Sequence, residues 1–174
     1  MKTNLIIISC LLFALCGCNN NTTIQGTSFA GKAYTLKFPS DWTVLKKPMA
    51  GIDQIAQSPM EGSSDKFREN VNVVLENVPP NMSEQEYLDA SLAAMKQMIN
   101  LDDDLKHTKT KVGSYDGYHM QYSMTMQGRT IDNDIYIVIA NGGSYLITCS
   151  HAKGKREKFK PTVDSIIDSF KIVN

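Results

Sequence analysis

Between residues 106 and 150 the chain alternates apolar and polar side chains almost without a break, and turn residues interrupt it at short intervals. A two-residue period sends successive side chains to opposite faces, so this stretch must fold as strands rather than helix. Tyr118, Met120, Tyr122, Met124 and Met126 share one face, and His119, Gln121, Ser123 and Thr125 share the other. Tyr115-Asp116-Gly117 and Gln127-Gly128 read as the turns on either side. Asn141-Gly142-Gly143 is a strong hairpin signal between strands over 129–140 and 144–150. The second half is an antiparallel meander.

The first half carries the same period in shorter words. Tyr34, Leu36 and Phe38 alternate in a strand closed by Pro39-Ser40-Asp41, and Trp42 to residue 46 is expected to run on extended. Strands are expected over 52–57 and 70–76, with a polar loop over 60–66 between them. Ser83-Glu84-Gln85-Glu86 is a capping box, in which the serine hydroxyl and the glutamate each reach an end amide of a helix. Leu88, Leu92, Met95 and Ile99 then form one apolar stripe, and Asp102-Asp103-Asp104 reads as a solvated loop. Near the end, Phe159, Val163, Ile166, Ile167 and Phe170 recur at helical spacing, with Pro161 expected in the first turn. The fold class is α+β: an antiparallel sheet that two main helices must cover. Trp42 and Phe170 are expected in its core.

At the N-terminus, Lys2 precedes an apolar run from Leu5 to Leu15, and Leu15-Cys16-Gly17-Cys18 follows. This is the layout of a secretory signal with a small-residue cleavage point. It resembles the bacterial lipobox, which implies that Cys18 is acylated and becomes the first residue of the mature protein. The run is too short to span a hydrocarbon core, which needs about 20 residues. The expected organisation is a lipoprotein signal peptide over 1–17, a flexible polar tether over 18–27 and a single domain over 28–174. Lysines plus arginines number 18, as do aspartates plus glutamates, so no basic excess draws in nucleic acid. Of four cysteines, Cys10 and Cys16 leave with the signal and Cys18 carries lipid. Cys149 stands alone, and no internal disulfide is possible in the mature form.

Three words of this chain carry a family likeness: Phe38-Pro39-Ser40-Asp41-Trp42-Thr43-Val44, Asn70-Val71-Asn72-Val73-Val74 and Ser165-Ile166-Ile167-Asp168-Ser169-Phe170. In that order, with a helix after the second and a meander before the third, the chain resembles the PsbP-like superfamily, which includes DcrB-type bacterial envelope lipoproteins. The resemblance implies an α-β-α sandwich around a central antiparallel sheet. It also implies a binding or assembly module rather than an enzyme. No metal motif matches residue by residue, so the manganese association of photosynthetic members is not carried over.

Other motifs have ordinary explanations. Gly26 to Ala33 nearly spells a P-loop, yet Ala33 lacks the hydroxyl that would hold magnesium, and a strand follows where a helix is needed. Cys149 and His151, two apart, could pair as thiolate and imidazole; against that, Cys149 reads as a small buried residue beside Ile147, with His151 in the following loop. Met120, Met124 and Met126 could bind soft monovalent copper, but Tyr118 and Tyr122 on the same face read as core. His107, His119 and His151 show no ligand spacing. Asp132 and Asp134 lie on one strand face, where paired acids can do acid–base work or hold a hard cation; alternation in a half-solvated strand explains them equally. The basic stretch from Lys153 to Lys160 reads as a solvated helix start, with anionic headgroups or an acidic partner as the other possibility.

The expected function is a lipid-anchored, non-catalytic binding module on the periplasmic side of a bacterial envelope membrane, with acyl chains on Cys18, a protein partner and no cofactor. The alternative is a small-molecule or metal-binding lipoprotein using the Met, His and acidic positions of the meander.

Overall fold

A computed structural model describes residues 21–25, 33–49, 51–98, 105–126 and 128–173. In chain order the elements are β1 (Asn21–Gln25), β2 (Ala33–Pro39), β3 (Thr43–Met49), β4 (Ile52–Gln57), β5 (Asn70–Asn77), α1 (Glu84–Met98), β6 (Lys106–Val112), β7 (Tyr115–Met126), β8 (Arg129–Ala140), β9 (Gly143–Ala152), α2 (Arg156–Asp168) and β10 (Lys171–Val173). Seven strands make one antiparallel sheet in the order β3-β4-β5-β9-β8-β7-β6. β1, β2 and β10 make a second, small sheet.

Alternation along β8 decides the layering. Ile135, Ile137 and Ile139 point to one face, where α1 brings Tyr87, Leu88, Leu92 and Met95 against them. Tyr136 and Val138 point to the other, where they join α2's Val163, Ile166 and Ile167 and the small sheet's Tyr34, Leu36 and Phe38. The two helices thus flank opposite faces of the large sheet, an α-β-α arrangement. Phe170, just past α2, is fully buried among Tyr34, Tyr115 and Tyr145, with ring centroids 6.1, 5.7 and 5.5 Å away. Trp42 is also buried, stacked on Phe38.

At both long hairpins the turn glycine expected from sequence takes left-handed backbone, Gly128 with φ of 74°. Asn141 and Gly142 have φ of 54° and 76°, the two positive values that a type I′ turn requires. The capping box is present as read: Ser83 N–H donates to Glu86 Oε2 at 2.7 Å, and Glu86 N–H to Ser83 Oγ at 3.3 Å.

Five readings are corrected. Asn21–Gln25, inside the expected tether, is strand β1, paired antiparallel with β2 from Asn21↔Pro39 to Gln25↔Thr35. Its Ile24 is buried in the core, which gives a polar segment reason to pair. Trp42 belongs to the turn, its amide bonded to Pro39 O at 3.0 Å, and the extended run expected after the turn starts one residue later, at Thr43 in β3, which enters a different sheet from β2. The turn before β7 is Gly113-Ser114, with Val112 opposite Tyr115. A Cβ on Gly113 would lie 2.1 Å from Phe170 O, so a glycine is required there. Pro161 sits inside α2, which starts earlier than its apolar stripe, at Arg156. Pro161 removes one amide donor from the helix, and Val163, Ile166 and Ile167 are nonetheless buried along its apolar face. His151 belongs to β9 and is buried, not in a loop. Ile99, Asp102 to Asp104, the near P-loop from Gly26 to Lys32, and Cys18 lie outside the described residues.

Candidate functional site

Facing α2, the large sheet carries polar side chains at one end of an otherwise apolar face. Register brings them together: Gln121 stands opposite Asp134, Ser123 opposite Asp132, Asp134 opposite Cys149 and Asp132 opposite His151. Asp132 and Asp134 are 7% and 4% exposed, so the half-solvated strand expected from sequence is a buried one.

Asp134 is the hub. Its Oδ1 accepts from His119 Nε2 at 2.9 Å and from Gln121 Nε2 at 2.7 Å. Its Oδ2 accepts from Arg156 Nε at 2.9 Å, with His151 Nε2 3.5 Å away. Burial alone would push this carboxyl up, but the bonds from His119, His151, Gln121 and Arg156 outweigh it and hold Asp134 well below the usual carboxylate range. Arg156 also donates to Asn133 O at 3.2 Å, so the first turn of α2 is latched to β8 twice. The imidazoles are fixed by stacking, His119 on Tyr136 at 4.4 Å and His151 on Phe159 at 6.0 Å. Nδ1 of His151 is buried with no hydrogen-bond partner among the described residues.

Asp132 is held separately. Burial opposes its charge, while the Ser123 hydroxyl at 2.7 Å, the Gly154 amide at 3.0 Å and the nearby Arg156 and Lys153 lower its pKa. Cys149 is completely buried, and that burial, with the Asp134 charge beside it, pushes the thiol well above its ordinary value. It packs among Val71, Ile147 and Tyr136 in the core and does not line the cleft. The thiolate pair with His151 is therefore not assembled.

Above the hub, between α2 and β6–β7, lies a cleft of about 400 Å³. His119, Gln121, Asp134, Tyr136 and His151 line it from the sheet, and Lys111, Arg156, Glu157, Lys160, Asp164 and Asp168 surround them. Lys160 is paired with Asp164 and Lys111 with Asp116, both at 2.7 Å. Among the described residues no group of three or more His, Cys, Asp or Glu is arranged to hold a metal. Met120 is buried against α1, Met124 half-buried and Met126 exposed, so the methionine face does not converge on a site. His107 lies on the α1 side, its ring 6.1 Å from Tyr118.

Sequence reasoning separated what the fold joins. His119, Asp134, His151 and Arg156 come from three strands and a helix. The available signal was parity: Asp132 and Asp134 share their face with Tyr136 and Val138, which is an inward face.

The PsbP family model matches residues 27–172. No curated protein matches the chain. Among solved structures it is similar to CyanoP, the cyanobacterial PsbP of Synechocystis sp. PCC 6803, at 16% identity and TM-score 0.64, covering 90% of this chain and 95% of that one. It is similar also to LpqN of Mycobacterium tuberculosis, described as involved in cell envelope biogenesis, at 11% identity and TM-score 0.62, with 90% and 93% covered. A third is Mog1p, a Ran-binding protein of Saccharomyces cerevisiae, at 11% identity and TM-score 0.57, with 89% and 96% covered.

Proposed function

The chain belongs to the PsbP family, and from that premise we propose a non-catalytic binding module of the bacterial envelope. Acyl chains on Cys18 hold it on the periplasmic side of a membrane, and its α2 cleft receives a protein partner. The observation that carries this reading is the saturation of Asp134. Three hydrogen bonds converge on its two oxygens, with the His151 imidazole 3.5 Å away, so the acid at the base of the cleft is occupied in holding α2 to the sheet. The one described cysteine is closed off. What the cleft offers outward is a rim of alternating charge from Lys111, Glu157, Lys160, Asp164 and Asp168, which suits a polar segment of another protein. The envelope role printed for LpqN and the Ran-binding role printed for Mog1p are in keeping with a fold used for binding. The volume of the cleft also falls in the range of small-molecule sites, roughly 300–1,000 Å³, and a small ligand is the second reading.

Two experiments test this. Cys18→Ala should abolish labelling by a fatty-acid probe and release the protein from membranes; a labelled mutant would defeat the anchor. A photoreactive residue replacing Lys111 in living cells should give a discrete protein adduct, whereas one replacing the exposed Lys96 of α1 should not. No adduct at 111, with a small molecule retained on the native protein in mass spectrometry, favours the second reading.

A further inference from the structure

β1 begins at Asn21, three residues after Cys18. Three residue steps span at most about 11 Å even when fully extended. A lipid on Cys18 therefore holds the start of β1 close to the headgroups, at a distance comparable to the Debye length of about 8 Å at physiological ionic strength. Topology says which end of the domain that is. Asn21 pairs with Pro39, so it lies beside the turn that leads into β3. Thr43 then pairs with Gln57, Gln57 with Asn70, and Asn70 with Ser150. The loop 58–69, the β7–β8 turn at Met126 and Arg129, and the Lys153–Lys155 link into α2 all gather at this same end.

That end has the chemistry of a membrane face. Three large apolar side chains stand exposed among the described residues, and two of them, Met60 (48%) and Met126 (52%), are here. Lys66, Arg129 and Lys153 are exposed around them and form no ion pair among the described residues. Arg129 donates to Lys66 O at 2.8 Å, which ties the loop to the turn as one surface. Among the described residues, most carboxylates at this end are engaged. Glu61 is held by Lys155 and Lys158, Asp65 accepts the amides of Glu61 and Phe67, and Glu69 is buried, leaving Asp41 and, in the first turn of α2, Glu157 exposed among the described residues. The opposite end instead presents the acids Glu84, Glu86 and Asp116, the last paired with Lys111.

We propose that this end is seated on the bilayer, with Met60 and Met126 in the headgroup region and Lys66, Arg129 and Lys153 on anionic headgroups. The seating rests on acylation at Cys18 and leaves the side of the domain that carries the α2 cleft open to the periplasm. Short reach and basic charge act together here, since one weak attachment becomes stable when a second is added.

The test uses the acylated full chain in vesicles of phosphatidylethanolamine and phosphatidylglycerol. A polarity-sensitive fluorophore is placed by Met126→Cys or, at the opposite end, by Ser114→Cys, and bromine-labelled lipids serve as quencher. Native Cys149 is buried and leaves the introduced thiol as the reactive one. Quenching several-fold stronger at 126 than at 114 is expected. Replacing phosphatidylglycerol by phosphatidylcholine should weaken it, as should Lys66→Gln with Lys153→Gln, by about fivefold in seated population per charge. Equal quenching at the two positions, in protein that sediments with the vesicles and carries the fatty-acid label, overturns the seating alone. Protein that carries no fatty-acid label overturns the anchor and the seating with it.

Discussion

The two faces of the large sheet are built on different terms. Toward α2, eighteen buried apolar residues form one cluster among the described residues, because the small sheet adds a second cover beside the helix. Toward α1 the corresponding cluster has six among the described residues, and one helix covers it. Beyond α1's reach that face turns polar: Asn70, Asn72, Thr148 and Ser150 are half-buried, and Ser150 donates to Asn133 at 2.7 Å. The heavier face is also the one that contains the charged hub. A buried charge network needs rigid surroundings, because each partner must stay within bonding distance to offset desolvation. The α2 side supplies that rigidity, and the α1 side, with fewer buried apolar residues among those described, is expected to open at lower cost.

Removing Phe170 strikes the heavier face at its centre, since it touches three tyrosine rings. Phe170→Ala should cost about 3 to 5 kcal/mol, and Leu88→Ala on the lighter face a value nearer the lower end of the usual 2 to 5 kcal/mol for Leu→Ala. Urea midpoints of the two variants measure the difference. If Leu88→Ala proves the more damaging, the order of the two faces is inverted.

Asp134→Asn tests the hub without changing side-chain size. Breaking a buried charge pair typically costs about 3 to 5 kcal/mol; because Gln121 and the histidines remain, the lower part of that range is expected. The pH dependence has a definite sign. A carboxyl held below its unfolded value stabilises the fold above the unfolded pKa, near 3.9, and that stability is lost as pH falls through the depressed folded value. Wild type should therefore lose its advantage over Asp134→Asn as pH drops below about 4. A constant difference between pH 7 and pH 3 would show that the charge of Asp134 is not what stabilises the fold.

Local rules made much of this legible. The alternation of β7 to β9, the Asn141-Gly142 turn, the capping box and the α2 stripe are encoded within a few residues and appear where they were read. Turn and helix boundaries slipped by a few residues, but the larger failures required partners distant in sequence. β1 is a polar segment that becomes a strand only because β2 offers an edge and a pocket for Ile24. The three-residue β10 pairs with β2 across most of the chain. The hub failed for the same reason: His119, Asp134, His151 and Arg156 are unremarkable until register and the start of α2 place them around one carboxylate.

The smallest expected effect sharpens the comparison from the lighter side. In α1, Ser83 Oγ and Glu86 close the first turn reciprocally on the exposed surface. Those bonds hold Glu86 below the usual carboxylate range, the Ser83 amide contributing most. Ser83→Ala removes the hydroxyl cap and should cost about 1 kcal/mol, within the usual 0.5 to 2 for such losses. On a face covered by one helix, that loss should appear locally. Amide hydrogen exchange should quicken through Tyr87 and Leu88 in the first turns of α1, while amides of β9 and α2 keep their protection. Equal acceleration in α1 and α2 would mean that the two covers open as one unit, and that the sheet does not divide the molecule into a rigid half and an adaptable half.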